Sequence, residues 1–153
     1  MNNITTKWQK FRALSWPERR TLLTAMAWLP LFWLGVRILG LRRFQARLQC
    51  NGPPIESRLS FDEIVRFATL VNIAALHVPF PATCLTRSLL LGWMLRRRGV
   101  GSQLRIGVRL THCVLVAHAW VEYANTPIND RREVAEQFAP FAEVLSPAAF
   151  QSP

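Results

Sequence analysis

The pattern of apolar and polar positions divides the chain into a helical first part and a strand-bearing second part. Residues 1 to about 48 read as helical. Trp16-Pro17-Glu18-Arg19 is a helix start, with Ser15 a candidate cap and Pro17 in the first turn. Pro30 predicts a stop or kink near Leu29, with a second helical piece from about Leu31 to Leu48. Asn51-Gly52-Pro53-Pro54 is a break. A cleaner helix follows over 60–77. Ser60 and Glu63 form a capping box, and Ile64, Phe67, Ala68, Val71 and Ala75 share one face. Pro79 and Pro81 end it. Leu85 to Arg98 is apolar nearly all round, which predicts a central buried helix stopped by Gly99.

After Gly101 the period changes from helical to alternating. Leu104, Ile106, Val108 and Leu110 alternate with Arg105, Gly107 and Arg109, the pattern of a half-buried strand. Cys113 to Tyr123 reads as a second strand, joined to the first by a short antiparallel hairpin at Leu110-Thr111-His112-Cys113. Asn125 to Asp130 is a turn with a short third strand. Pro140 and Pro147 predict a poorly ordered tail.

Length and composition narrow the class. A chain of 153 residues is one domain's worth and can bury a core without staples. Half of the residues are hydrophobic and 18% are charged, which excludes intrinsic disorder. The net charge of +10 is carried almost wholly by Arg, spread along every helix and outside any nucleic-acid-binding motif, so no nucleic-acid partner is expected. An acidic peptide, a partner protein or a membrane surface accounts for it as well. Thr21 to Val36 holds 16 uncharged residues between two Arg, short of a membrane span and interrupted by Pro30. Packed or surface-bound helices are the expectation. No cleavage site follows this stretch, so a cytoplasmic setting is expected, with the inner membrane face as a candidate surface and the three Cys reduced.

The candidate chemistry rests on Cys84, His118 and Asp130. Cys84 opens a helix, where free N–H groups and partial positive charge favour a thiolate. A small buried apolar residue is the plainer reading of a lone Cys. His118 lies mid-strand between Ala117 and Ala119, sharing a face with Val116, Trp120 and Glu122. It could serve as a base toward Cys84, or be a core histidine. A carboxylate such as Asp130 on its far ring nitrogen would fix the tautomer and stabilise the imidazolium. Zinc is a poorer use of the same atoms. Cys113 and His118 fall on opposite strand faces, and there is no Cys-x-x-Cys pair among His112, Cys113, His118, Cys84 and Cys50. Neither a metal nor another cofactor is expected. Arg87, Trp120 and Glu122 are candidate substrate contacts. For Arg87 the alternative is bracing its helix, and for Glu122 an ordinary ion pair with an Arg. His77 reads as structural.

Five blocks together resemble a known family. Thr83-Cys84-Leu85-Thr86-Arg87-Ser88-Leu89, Leu95 to Val100, Leu104 to Val108, Ala117-His118-Ala119-Trp120-Val121-Glu122 and Pro127-Ile128-Asn129-Asp130 look like the transglutaminase-like proteins of lasso peptide biosynthesis, the leader peptidases often called B proteins. The likeness covers roughly residues 60 to 142, including Phe138-Ala139-Pro140-Phe141. It implies an α+β fold with a papain/transglutaminase-like cysteine peptidase core, a central helix against a small antiparallel sheet. Residues 1–59 would be an N-terminal helical extension and 60–145 the peptidase domain. It also implies roles: Cys84 the nucleophile, His118 the base and acid, Asp130 the orienting residue. The substrate would be a lasso precursor peptide, whose leader is removed before a partner cyclase closes the ring.

In that family a small winged-helix-like module, fused or separate, reads the leader. Residues 1–59 show no sign of its strands, so the chain resembles the split, peptidase-only form that works with a separate leader-recognition protein. It departs from the family at the Leu110-to-Cys113 joint, where relatives often carry a Gly-rich loop. Two other functions use the same features. The same triad supports transglutaminase-type acyl transfer, and an inactive membrane-surface or scaffold protein could keep the fold alone.

Overall fold

The computed structural model describes residues 12–48, 59–112 and 114–140. The Asn51-Gly52-Pro53-Pro54 break, Cys50, Cys113 and the stretch holding Phe141 and Pro147 lie outside them.

Helix α1 (Trp16–Leu39) starts as its sequence dictates. The Ser15 N–H and hydroxyl both donate to the Glu18 carboxylate at 2.8 Å. Of the stop or kink expected at Pro30, the stop does not occur; the helix runs on to Leu39. Pro30 costs one backbone hydrogen bond, but it lies on the solvent side. Leu29 and Phe32 anchor the chain in the core on either side of it. The break comes instead at Gly40, whose φ of 74° suits glycine and whose N–H donates to Val36 O at 3.0 Å. α2 (Leu41–Leu48) then folds back, with the Phe44 ring where a Cβ on Gly35 would stand.

α3 (Phe61–His77) carries the expected capping box, with Ser60 N–H donating to Glu63 at 2.8 Å and Glu63 N–H to Ser60 Oγ at 3.3 Å. Ile64, Phe67, Ala68, Val71 and Ala74 form its buried face. α4 (Cys84–Arg96) is the central helix. Thr83 caps it by accepting the Thr86 N–H at 3.2 Å, and Gly99 (φ 78°) ends it, Val100 N–H closing on Leu95 O at 3.0 Å. Leu90, Leu91 and Leu95 are fully buried. They meet Leu22, Ala25, Leu29 and Phe32 of α1 and Ile64, Ala68 and Val71 of α3 in one core.

The second part is an antiparallel sheet. β1 (Gln103–Thr111), β2 (Val114–Tyr123), β3 (Thr126–Pro127) and β4 (Ala139–Pro140) lie in the order β3-β2-β1-β4. The β1–β2 register places Gly107 opposite His118 and Thr111 opposite Val114, so the hairpin turn is two residues long, with His112 at φ 48°. The hairpin's far end projects: Leu110, Val114, Leu115 and Val116 are exposed, so the half-buried pattern holds only for the end near α4. Residues 131–140 are ordered, against the expectation of a loose tail reaching back to Pro140. A short helix, α5 (Val134–Gln137), and β4 are held because Val134 and Phe138 pack on Trp120 while β4 pairs with Gly107 and Val108. Gly107 makes this fit: a Cβ there would stand 2.7 Å from the Phe138 Cβ. The whole is an α+β fold, its central helix packed between two helices and the sheet.

Candidate active site

His118 sits on the part of β2 nearest the core. His118 Nε2–H donates to Asp130 Oδ2 at 2.6 Å, and both side chains are about a fifth exposed, so the pair is sheltered yet reachable. A carboxylate only accepts, so Nε2 carries the proton and Nδ1 is left with its lone pair. Asp130 is held in turn by the Arg131 N–H on Oδ1 at 2.8 Å. The imidazole is flanked by Trp120 (centroids 6.2 Å apart, stacked) and Phe138 (5.2 Å). Arg109 lies over the outer side of Phe138 at 4.8 Å.

Cys84 is the first residue of α4, partly exposed and a free thiol. Its helix is fastened to the histidine's strand. Ser88, one turn on from Cys84, donates its hydroxyl to the carbonyl of Ala119 at 3.0 Å, next to His118. Asn129, next to Asp130, donates to Ser88 Oγ at 2.9 Å and accepts the Val121 N–H at 2.8 Å. Asn72 of α3 donates to the Asn129 carbonyl at 2.8 Å. Ser88 and Asn129 are buried, so these bonds lie in low dielectric and position firmly. One polar knot therefore ties together the helix of Cys84, the strand of His118 and the loop of Asp130. The structure joins His118 and Asp130 directly. It sets Cys84 on the helix bound to them, with no hydrogen bond between its sulfur and His118. Catalytic hydrogen bonds are commonly long without substrate and tighten when it binds.

Two of the three expected substrate contacts are otherwise engaged. Trp120 is 3% exposed and its indole N–H donates to Glu122 at 2.9 Å. Glu122 is buried and pairs with Arg105 across the hairpin at 2.9 Å. Neither has a free surface to offer, and Glu122 takes the ordinary ion-pair role. Arg87 differs. It lies one turn from Cys84, and its buried Nε–H has no acceptor among the described residues. His77 Nδ1–H donates locally to Ile73 O at 2.8 Å, and His112 stands at the exposed hairpin turn. Among the described residues no group of three or more His, Cys, Asp and Glu side chains could hold a metal ion. Ser88, Asn129 and Phe138 stand in the blocks of the family resemblance but carry no assigned role there, and Asn72 is not singled out by the sequence. The available signal was a Ser directly before the Leu89-Leu90-Leu91 run and an Asn beside the candidate Asp.

The sequence family described as the transglutaminase-like superfamily matches residues 25–143. The chain belongs to the transglutaminase-like superfamily. No curated protein and no solved structure matches it. The transglutaminase-like match begins inside α1 and runs through both helical and sheet parts, in keeping with the single core they share. Members of this superfamily are generally cysteine proteases or acyltransferases. Both chemistries need an activated thiol beside an oriented base.

Proposed function

We propose that this transglutaminase-like chain is a cysteine peptidase that cleaves the leader from a lasso peptide precursor. The observation that carries the peptidase reading is the 2.6 Å His118–Asp130 bond in a chain whose central helix begins at Cys84. The lasso assignment is supported by the combined Cys-Leu-Thr-Arg-Ser-Leu and His-Ala-Trp-Val-Glu blocks. In this reading His118 Nδ1 takes the Cys84 proton, and the thiolate attacks the carbonyl of the last leader residue. The Cys84 N–H, at a helix start and without a partner among the described residues, would serve as donor to the developing oxyanion. The imidazolium, steadied by Asp130, protonates the leaving amine, which becomes the amino terminus of the core peptide. Water then attacks the thioester, His118 accepts its proton, and the leader departs as a carboxylic acid. A partner cyclase would use the freed amine, and a separate leader-recognition protein would present the substrate.

The test is intact-mass spectrometry of a lasso precursor from the same source, incubated with the protein with and without the leader-recognition chain. Two linear fragments meeting at the leader–core junction are expected, and none with Cys84→Ala. A crosslinked product without hydrolysis would move the assignment to acyl transfer. An uncut precursor with folded enzyme and partner present would overturn it.

A further inference from the structure

α1 presents two apolar faces, and the core uses one. Leu22, Ala25, Leu29 and Phe32 point inward. On the opposite side Trp16, Leu23, Leu31, Leu34 and Ile38 are exposed, Ile38 by 69%. From Leu23 to Ile38 this strip runs about 22 Å along the helix axis. It carries no acidic residue, and only Arg37 stands at its edge. The helix is long and apolar enough to cross a membrane, and 22% of its most apolar 18-residue stretch is buried. Crossing would tear Leu22 to Phe32 out of the core, so a bilayer can meet only the outer face.

At the N-terminal end of that face lies a cavity of about 470 Å³, lined by Arg20 and Trp28 of α1 and by Trp93, Arg97 and Arg98 at the end of α4. Its lining includes no carboxylate, and none of its three Arg forms an ion pair with a described residue. Two of the guanidinium groups are held by rings instead: Arg97 over Trp93 at 4.9 Å and Arg98 over Phe67 at 4.1 Å. Burial and the nearby Arg20 charge hold Arg98 below the ordinary arginine range, a repulsion that a bound anion would relieve. The cavity lies at the end of α4 away from Cys84, so it is separate from the candidate active site.

We propose that this face docks on a bilayer rich in anionic phospholipid, with the α1 strip at the acyl boundary and a headgroup phosphate between Arg20, Arg97 and Arg98. A bilayer surface offers apolar and phosphate layers side by side, in the same order as the strip and the cavity. Indoles such as Trp16, Trp28 and Trp93 favour that boundary. The bilayer is favoured over a partner protein because the exposed strip is wholly aliphatic and aromatic over about 22 Å and adjoins Trp residues and Arg without an ion pair among the described residues. The inference does not depend on the peptidase reading.

The test is co-sedimentation of the full chain with sucrose-loaded phosphatidylcholine vesicles, with and without phosphatidylglycerol. Binding is expected only when phosphatidylglycerol is present. Leu31→Asp with Leu34→Asp should abolish it, and Arg20→Gln with Arg97→Gln should weaken it by about tenfold. Circular dichroism and melting confirm that the variants fold, which exposed positions favour. Cys84→Ala should bind as the wild type does, which separates this result from the fate of the peptidase reading. Equal binding to both vesicles, or indifference to both double variants, would overturn the proposal. So would failure to bind vesicles while glycerol phosphate raises the melting temperature, which would mark a soluble-anion site. Failure to bind by a stable dimer would overturn it too, giving the face to a second copy of the chain.

Discussion

At the scale of single residues, Asp130 does its work by holding one tautomer of His118. Asp130→Asn keeps the shape but can donate to Nε2, which leaves Nδ1 protonated and useless as a base. Turnover of the cleaved substrate should fall by about a hundred- to ten-thousand-fold with an unchanged far-ultraviolet spectrum. Ser88 and Asn129 act through others. Ser88→Ala and Asn129→Ala should each cost about 1–3 kcal/mol in denaturant unfolding, because each strands a buried polar partner. Since they share a bond, their double variant should cost less than the sum of the two. The contrast between these groups shows what the sequence carries. Cys84, His118 and Asp130 are singled out by their residue types within recognisable blocks, and the structure joins the last two. Ser88 meets Ala119 and Asn129 across 31 and 41 positions, and such pairings form only once helix and strand dock. Glu122 shows the middle case: an Arg partner was foreseeable, but that it would be Arg105 required the hairpin register.

At the scale of elements, caps made the helices readable. The Ser15–Glu18 and Ser60–Glu63 pairs mark two helix starts in the sequence, and the structure begins its helices there; the Thr83 cap of α4 is seen only in the structure. Pro30 misled because proline's local penalty of about 3 kcal/mol was outweighed by the core contacts of Leu29 and Phe32. The segment at 131–140 misled because its order comes from Trp120 and Gly107, far away in sequence. Gly107→Ala tests that explanation. Its new Cβ would press on Phe138, Trp120 and the Ala139 carbonyl, so unfolding stability should drop by about 1–3 kcal/mol and α5 and β4 should lose amide protection first.

A second test concerns α1 and α3. The Arg66 guanidinium and the Ser15 cap hold the Glu18 carboxyl down at about 2, from an ordinary 4.5. Its stabilising effect is therefore complete above about pH 4.5 and is lost as the pH falls toward about 2. Melting temperature followed over this window should decline less steeply in Glu18→Gln than in the wild type. The contact is exposed, so the difference should be small and should shrink further in high salt.

At the scale of the whole molecule, one core joins α1, α3, α4 and the sheet. The switch between helical and alternating periods shows helices followed by strands, and the family resemblance implies the α+β class that the structure has. The double use of α1 was not, because a helix that is apolar all round does not say which side faces inward. The structure answers this by burying Leu22, Ala25, Leu29 and Phe32 and leaving the Leu31–Leu34 side open. The chain should accordingly take up detergent micelles, and Leu31→Asp with Leu34→Asp should abolish the resulting shift of elution volume in size-exclusion chromatography.

In the proposed function Cys84 is activated by the His118–Asp130 pair. The most direct measurement is the rate of Cys84 alkylation by iodoacetamide at neutral pH, read by peptide mapping so that Cys50 and Cys113 serve as internal references. Cys84 should react faster than either reference thiol in the wild type, slow by at least about tenfold in His118→Ala, and slow in Asp130→Asn, with all three proteins folded. Equal rates at Cys84 in all three proteins would contradict the claim and leave Cys84 as an ordinary thiol at a helix start.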